Sequence, residues 1–415
     1  MKLIRMLVLI ALAALSLSAQ DFYLKSGDTV VFYGDSITDQ RLYTTFTETY
    51  AVTRFPTLDV RFVHSGWGGD RVSGGGGGPI DLRLKRDVFV YKPTVMTIML
   101  GMNDGHYKAF DQDLFDTYAN GIKNIVKAVK AERPGIRITL IQPSPYDDAT
   151  RPPTFPGGYN AVLLRYSQFL KEFAQSDHLD LADLNTEVFA DLARANDVDP
   201  EGAKKLLPDR VHPGPGGHLL MAEALLKAWN APSVVTSVEI DATERKAIRT
   251  DNTTVTELSA DGSLTWTQAD KALPMPINMK DPSVRLAVSV SDVEKALDQQ
   301  PLKVTGLSAS RYTLKIDGET VGTFTKQQLS DGMNLAMLDT PMTRQAGLVH
   351  ELTLKHNNIH NVRWRVVQVP LQDETYAHKD KVFEALDALE NEIIQQQRAK
   401  AQPSPHRYEL LAEAN

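Results

Sequence analysis

Between residues 30 and 229 the chain alternates short apolar runs with amphipathic stretches, and this alternation restricts its fold more than any other feature. The runs at 30–34, 60–64, 94–100, 137–141 and 179–182 have the length and texture of buried strands. Helical patterns separate them. The clearest covers 113–132, where Leu114, Tyr118, Ile122, Ile125 and Val129 recur at spacings of three and four until Pro134-Gly135 stops the helix. Residues 159–173 and 215–229 have the same character. Strands alternating with helices form βαβ units, so residues 20–232 are expected to form an α/β domain with a mainly parallel sheet covered on both faces.

The loops that follow these strands carry the chemistry. The first run ends in Gly34-Asp35-Ser36, and the carboxyl ends of parallel strands are where open α/β sheets bind ligands. Ser36 there is placed as a nucleophile, or as the N-cap of the next helix. The second run leads into Ser65-Gly66-Trp67-Gly68-Gly69-Asp70-Arg71 and then five glycines at 74–78. The spacing fits neither a phosphate loop nor a dinucleotide fingerprint. Residues 66–69 read as an anion-binding turn and 74–78 as a flexible surface loop. The third loop, Leu100-Gly101-Met102-Asn103-Asp104, offers the Asn103 amide as a donor to developing negative charge. The fourth, Leu207-Pro208-Asp209-Arg210-Val211-His212-Pro213-Gly214, holds a histidine that can act as base and an aspartate three residues earlier to orient it. His64 has no obvious paired carboxylate, and His350, His356 and His360 share a helix-like segment of another domain.

Taken in order, Gly34-Asp35-Ser36, the 66–70 loop, Gly101-x-Asn103-Asp104 and Asp209-x-x-His212 resemble the SGNH (GDSL-type) hydrolases. The resemblance implies a flavodoxin-like three-layer α/β/α domain and esterase activity. It implies Ser36 as nucleophile, His212 as general base and Asp209 as its partner, with Asp35 a structural neighbour. The oxyanion hole would be the Ser36 N–H, the Gly69 N–H (with Gly68 as runner-up) and the Asn103 side chain. The asparagine usual in the family's second block is replaced here by His64-Ser65. There is no Gly-x-Ser-x-Gly, so the α/β-hydrolase nucleophile elbow is not supported. The proline-rich stretch 142–158 is long enough to line a pocket or to form a rigid surface loop. Trp67, Tyr146, Asp147 and Arg151 are the substrate-contact candidates.

A net charge of −7 argues against nucleic-acid binding, and the absence of cysteine excludes disulfides and thiolate chemistry. No cofactor or metal is expected. Lys2 and Arg5, an apolar run to Leu17 and the small residues Ser18 and Ala19 read as a secretory leader over 1–19, giving a secreted or periplasmic protein with no integral span after cleavage. Residues 233–335 alternate apolar and polar positions, with Asp317-Gly318 as a hairpin turn, and read as a small β-sandwich-like antiparallel domain. Residues 336–415 are expected to be helical and to end in a loose tail. Val382, Leu386, Leu389 and Ile393 there present a face for the catalytic domain or for a second copy of the chain. The reading that follows is an exported esterase acting on acylated carbohydrate. The alternatives are a lipase or lysophospholipase, and a carbohydrate-binding surface protein with an inactive hydrolase domain.

Overall fold

The computed structural model describes residues 21–259 and 263–413, and the leader expected over 1–19 lies outside them. Five strands, β1 (Asp28–Gly34), β2 (Val60–Gly66), β3 (Val95–Met99), β4 (Arg137–Ile141) and β5 (Asp180–Ala182), form one sheet in the order β2-β1-β3-β4-β5. Every neighbouring pair is parallel. Val30, Val31, Phe32 and Tyr33 of β1 are all fully buried, which explains why the strand reads as a continuous apolar run. Phe32 meets Tyr43 and Trp229, while the next side chain, Tyr33, meets Arg83 on the opposite layer. The strand order reverses direction at β1, so the loops after β1, β2 and β3 share the crevice at that switch point.

The second half forms two packed sheets. One has five strands, in the order Thr253–Ser259, Leu264–Asp270, His406–Ala412, Arg311–Ile316, Glu319–Thr325. The other has four, with Pro301–Thr305 and Ser237–Asp241 running parallel at its centre. Their inward residues, among them Val238, Ile240, Trp266, Leu302, Leu314 and Tyr408, make a second core. Asp317 (φ 54°) and Gly318 (φ 81°) close the expected hairpin as a two-residue turn with both residues left-handed.

Two features depart from the expectation. Residues 272–297 leave the β sheets, and helices Pro282–Val290 and Val293–Leu297 pack into the first domain's core. The expected loose tail is instead the strand His406–Ala412, which pairs on both sides. Its alternating His406, Tyr408 and Leu410 face inward, and Pro403 and Pro405 lie before the strand, where they cost no ladder hydrogen bond.

Helices Pro341–Asn361 and Lys379–Lys400 pack against each other, and the first lies on helix Leu42–Arg54 of the first domain. The contact surface is largely polar. Glu48 accepts from His64 (3.2 Å), His356 (2.5 Å) and Gln397 (3.0 Å), all buried. The buried face of helix Lys379–Lys400 is Glu390 and Gln397, while Val382 and Leu389 of the expected apolar face remain exposed. Arg54 joins the domains elsewhere, donating to the carbonyls of Pro232 (2.6 Å), Val234 (3.2 Å) and Leu297 (2.8 Å). Among the described residues no helix is long and apolar enough to cross a membrane.

Candidate active site

Ser36 opens the short helix Ser36–Asp39 directly after β1. Asp35 is the N-cap, its carboxylate accepting from Ile37 N–H at 3.0 Å, so the N-cap role weighed for Ser36 falls to its neighbour. The helix sits tight against β2. A Cβ on Gly66 would lie 2.2 Å from the Asp39 nitrogen, so only glycine permits this approach. Ser36 Oγ lies 2.8 Å from His212 Nε2, and His212 Nδ1 lies 2.7 Å from Asp209 Oδ2. A carboxylate can only accept, so Nδ1 carries the ring proton and Nε2 is left as the acceptor of the serine hydroxyl. Asp209 also accepts from the backbone N–H groups of His212 (2.7 Å) and Val211 (3.0 Å). Burial would raise its carboxyl, but these donors together hold it below the ordinary value.

Three N–H donors are carried by the loops after β1, β2 and β3, whose strand ends share one crevice with this serine. Its own N–H lies in the first turn of the helix and has no intrahelical partner. In the second loop Asp70 N–H returns to the Trp67 carbonyl (3.1 Å), closing a turn with Gly69 at φ 78° in its third position. Gly68 N–H is committed to Asp39 Oδ2 at 3.2 Å, which leaves Gly69 as the available glycine donor. Asn103 Nδ2 donates to the Asp70 carbonyl at 3.1 Å and has only a 3.5 Å contact with Asp35, so one of its hydrogens is weakly held.

The residues that hold these donors were not legible from motif spacing. Tyr107 donates to Asn103 Oδ1 (2.8 Å) and thereby fixes which end of the amide is the acceptor and which the donor. Burial, with the Asp35 and Asp209 charges adding to it, pushes the Tyr107 hydroxyl up to about 12 and keeps it a donor. Its φ of 56°, after 54° at His106, marks a left-handed pair that no Gly or Asn signal announces. Asp104 accepts from Val72 N–H (3.0 Å) and Arg71 Nε donates to the Asn103 carbonyl (3.2 Å), tying the second loop to the third. Buried Arg83 donates to Asp70 (2.7 Å), to Asp87 and to the Ser65 carbonyl (2.9 Å), bracing the glycine turn from behind. Where the family's asparagine is missing, Ser65 Oγ donates to the Asp87 carbonyl (2.6 Å), and His64 is paired with Glu48 after all.

The expected substrate contacts are placed differently. Asp147 is fully buried and accepts from Thr150 N–H (2.8 Å) and from Arg151. Arg151 donates to the carbonyls of Leu207 (2.9 Å), Lys204 (3.1 Å) and Pro208 (2.9 Å). Their polar groups hold the loop that carries Asp209 and His212. Tyr146 is nearly buried between Tyr107 and Tyr159, with Arg210 over its ring. Trp67 is no bare platform: Arg365 stacks 3.3 Å from its ring centroid, Trp364 meets it edge-on, and a Cβ on Gly77 would lie 2.6 Å from the indole. The glycines at 74–78, expected to be flexible, form a two-stranded ribbon pressed onto that indole.

The fold and the serine at its switch point define an SGNH-type α/β/α domain. Residues 32–220 match the model of the GDSL-like lipase/acylhydrolase family. An acetylxylan esterase of Geobacillus stearothermophilus is 25% identical over 230 residues, which are 49% of this chain and 94% of that protein. The solved structure of a gut microbial diltiazem-metabolizing enzyme superposes with a TM-score of 0.83 at 24% identity, over 95% of this chain and 100% of that one. This second likeness extends the shared fold to the β domain and the C-terminal helices.

Proposed function

We propose that the chain is a serine ester hydrolase that removes acetyl or other short acyl groups from carbohydrate. The observation that carries this reading is the unbroken hydrogen-bonded chain from Asp209 through His212 to Ser36. Ser36 Oγ attacks the ester carbonyl carbon as its proton passes to His212 Nε2. Ser36 N–H, Gly69 N–H and Asn103 Nδ2 receive the oxyanion. The tetrahedral adduct collapses, His212 returns the proton to the departing alcohol, and the acyl group stays on Ser36. Water then adds to the acyl carbonyl with His212 again as base, releasing the acid and restoring the serine. The acetylxylan esterase likeness supports carbohydrate deacetylation over lipid hydrolysis. Lys2, Arg5 and the apolar run to Leu17 support export. Val382 and Leu389, exposed on helix Lys379–Lys400, are the surface on which a second copy would dock.

The test is hydrolysis of p-nitrophenyl acetate and of acetylated xylan by wild type and Ser36→Ala. Wild type is expected to release acetate from both, and Ser36→Ala to lose at least about 10⁴-fold in kcat. Equal activity of the two proteins refutes the nucleophile, and activity confined to long acyl chains favours the lipase reading.

A further inference from the structure

One wall of the cleft beside Ser36 comes from the far end of the chain. The cleft, of about 520 Å³, is lined by Ser36, Asp39, Gln40, Arg41, Asn361, Arg365 and Val366. Asn361 ends the long helix Pro341–Asn361, and Arg365 and Val366 belong to the π-helical turn that continues it. Two of the lining side chains are arginines, and among the described residues neither makes a side-chain hydrogen bond. Arg41 has no hydrogen bond or ion pair from its side chain among the described residues, and burial with only Asp39 as a countercharge holds its guanidinium below the usual value. Its backbone is left-handed (φ 60°), a conformation that a bulky side chain adopts at a cost and that Gly or Asn would adopt easily. Arg365 makes only a long ion pair with Asp39, at 4.0 Å, and its Nη1 is buried with no hydrogen-bond partner. It is held flat on the Trp67 indole. Asp39 itself is committed to Gly68 N–H. Gln40 Oε1 lies 3.1 Å from His218 Nε2, and burial keeps that histidine neutral, at about 3, so the Gln40 oxygen is taken and its amide NH₂ remains to donate.

The cleft thus holds two guanidinium groups and one carboxylate, with donors in excess of acceptors. Guanidinium is the side chain best matched to a carboxylate, through two parallel N–H bonds. We propose that Arg41 and Arg365 form an anion subsite that receives a carboxylate on the alcohol half of the ester, so that the substrate class is an acylated acidic sugar, a uronate, rather than a neutral one. The inference rests on the esterase reading above and narrows it. The cleft is large enough for a sugar ring, whereas a two-carbon acyl group needs little of it, which assigns the carboxylate to the alcohol half. Trp67 is then a positioning residue: it carries the Arg365 guanidinium at the cleft and does not touch the sugar.

The test compares kcat/KM of the full chain on O-acetylated methyl glucuronoside and O-acetylated methyl glucoside. Wild type should prefer the uronate by about tenfold or more. Preference should collapse as ionic strength rises from about 0.01 M to about 1 M, over which the screening length falls from about 30 to about 3 Å. Arg365→Gln and Arg41→Gln should each bring the ratio of the two kcat/KM values toward one, and Arg41→Lys should restore part of it. A wild-type ratio near one, or a ratio unmoved by salt and by both glutamine variants, overturns the subsite while leaving a Ser36-dependent esterase intact. Preference for a carboxylate only on the acyl half, read with a hemisuccinate ester, overturns the assignment to the alcohol. Absence of Ser36-dependent hydrolysis on every ester overturns the esterase reading as well.

Discussion

Gly68 and Gly69 are adjacent, both glycine, and differ in what their N–H groups do. Gly69 needs its positive φ, and a side chain there costs about 1–2 kcal/mol of backbone strain, relieved only by rotating the peptide and its N–H. At Gly68 a new Cβ would meet Asp39 and Ser36 at 3.8 and 3.9 Å, ordinary contact distances. Gly69→Ala should therefore lower kcat on p-nitrophenyl acetate toward the about 10²–10³-fold loss of a missing oxyanion donor, and Gly68→Ala much less; the reverse order would move the donor to Gly68. Asp35 gives a pH prediction. Burial, reinforced by Asp104 and Asp70, raises its carboxyl to about 7. Between the unfolded value near 4 and this one the native state holds a proton that the unfolded chain has lost, so the group's contribution to stability falls as pH rises through that window. Asp35→Asn removes the penalty, and its Tm relative to wild type should be higher at about pH 8 than at about pH 5. A Tm difference independent of pH would mean that Asp35 is ionised throughout. Ser36, Asn103, Asp209 and His212 were legible in the sequence because each follows a strand or sits in a Pro/Gly loop with a short, ordered spacing. Tyr107, Arg83 and Arg365 were not, since a buried arginine or a left-handed tyrosine has no local pattern and depends on partners distant in the chain.

Helices were readable where burial is apolar. The stretch 113–132 buries Tyr118, Ile122, Ile125 and Val129 as its periodicity required. Helix Lys379–Lys400 was misread at its docking face because Glu390 and Gln397, not Val382 and Leu389, turn inward, and hydropathy cannot announce a buried glutamate whose partners lie on other elements. That polar junction should be pH-dependent in a definite direction. Burial alone would lower His356, but Glu48 and Glu390 outweigh it and push it up to about 9; His64, under the stronger hold of burial, falls to about 4 and stays neutral. Burial would raise Glu390, yet the neighbouring His356 and His360 hold it at about 2. A histidine raised in the folded state gives stability that is complete below its unfolded value of about 6.5 and disappears as pH rises through about 9. The glutamate's contribution is present above its unfolded value and disappears only near pH 2. Wild type should thus exceed His356→Gln in Tm at about pH 6 and lose that margin by about pH 10, measured by thermal unfolding. A margin that holds constant across this range would mean that the histidine is neutral in the junction.

At the scale of the whole molecule, one long helix runs from the second half to the catalytic cleft of the first. Helix Pro341–Asn361 begins in the β domain, where Met342, Ala346 and Val349 belong to the second core, runs along helix Leu42–Arg54, and ends at the Ser36 cleft with Asn361. The β domain is in turn completed by the last strand, His406–Ala412, which lies between Leu264–Asp270 and Arg311–Ile316. Tyr408 and Leu410 are fully buried there, and Tyr408 stacks on Trp266 at 5.0 Å. A chain ending at residue 402 would lose two buried side chains worth about 1.5–3 kcal/mol each and leave the strands on either side with unpaired edges, which invite intermolecular pairing. It should unfold at clearly lower temperature than the full chain and associate in size-exclusion chromatography. Because the helix that forms the cleft wall is anchored in that weakened core, the truncated chain should also lose more kcat/KM on a sugar acetate, which fills the cleft, than on p-nitrophenyl acetate. A truncated protein with the full chain's Tm would show that the strand is an ornament of the sheet. A lowered Tm with both substrates affected equally would show that the sheet stabilises the chain without holding the cleft wall.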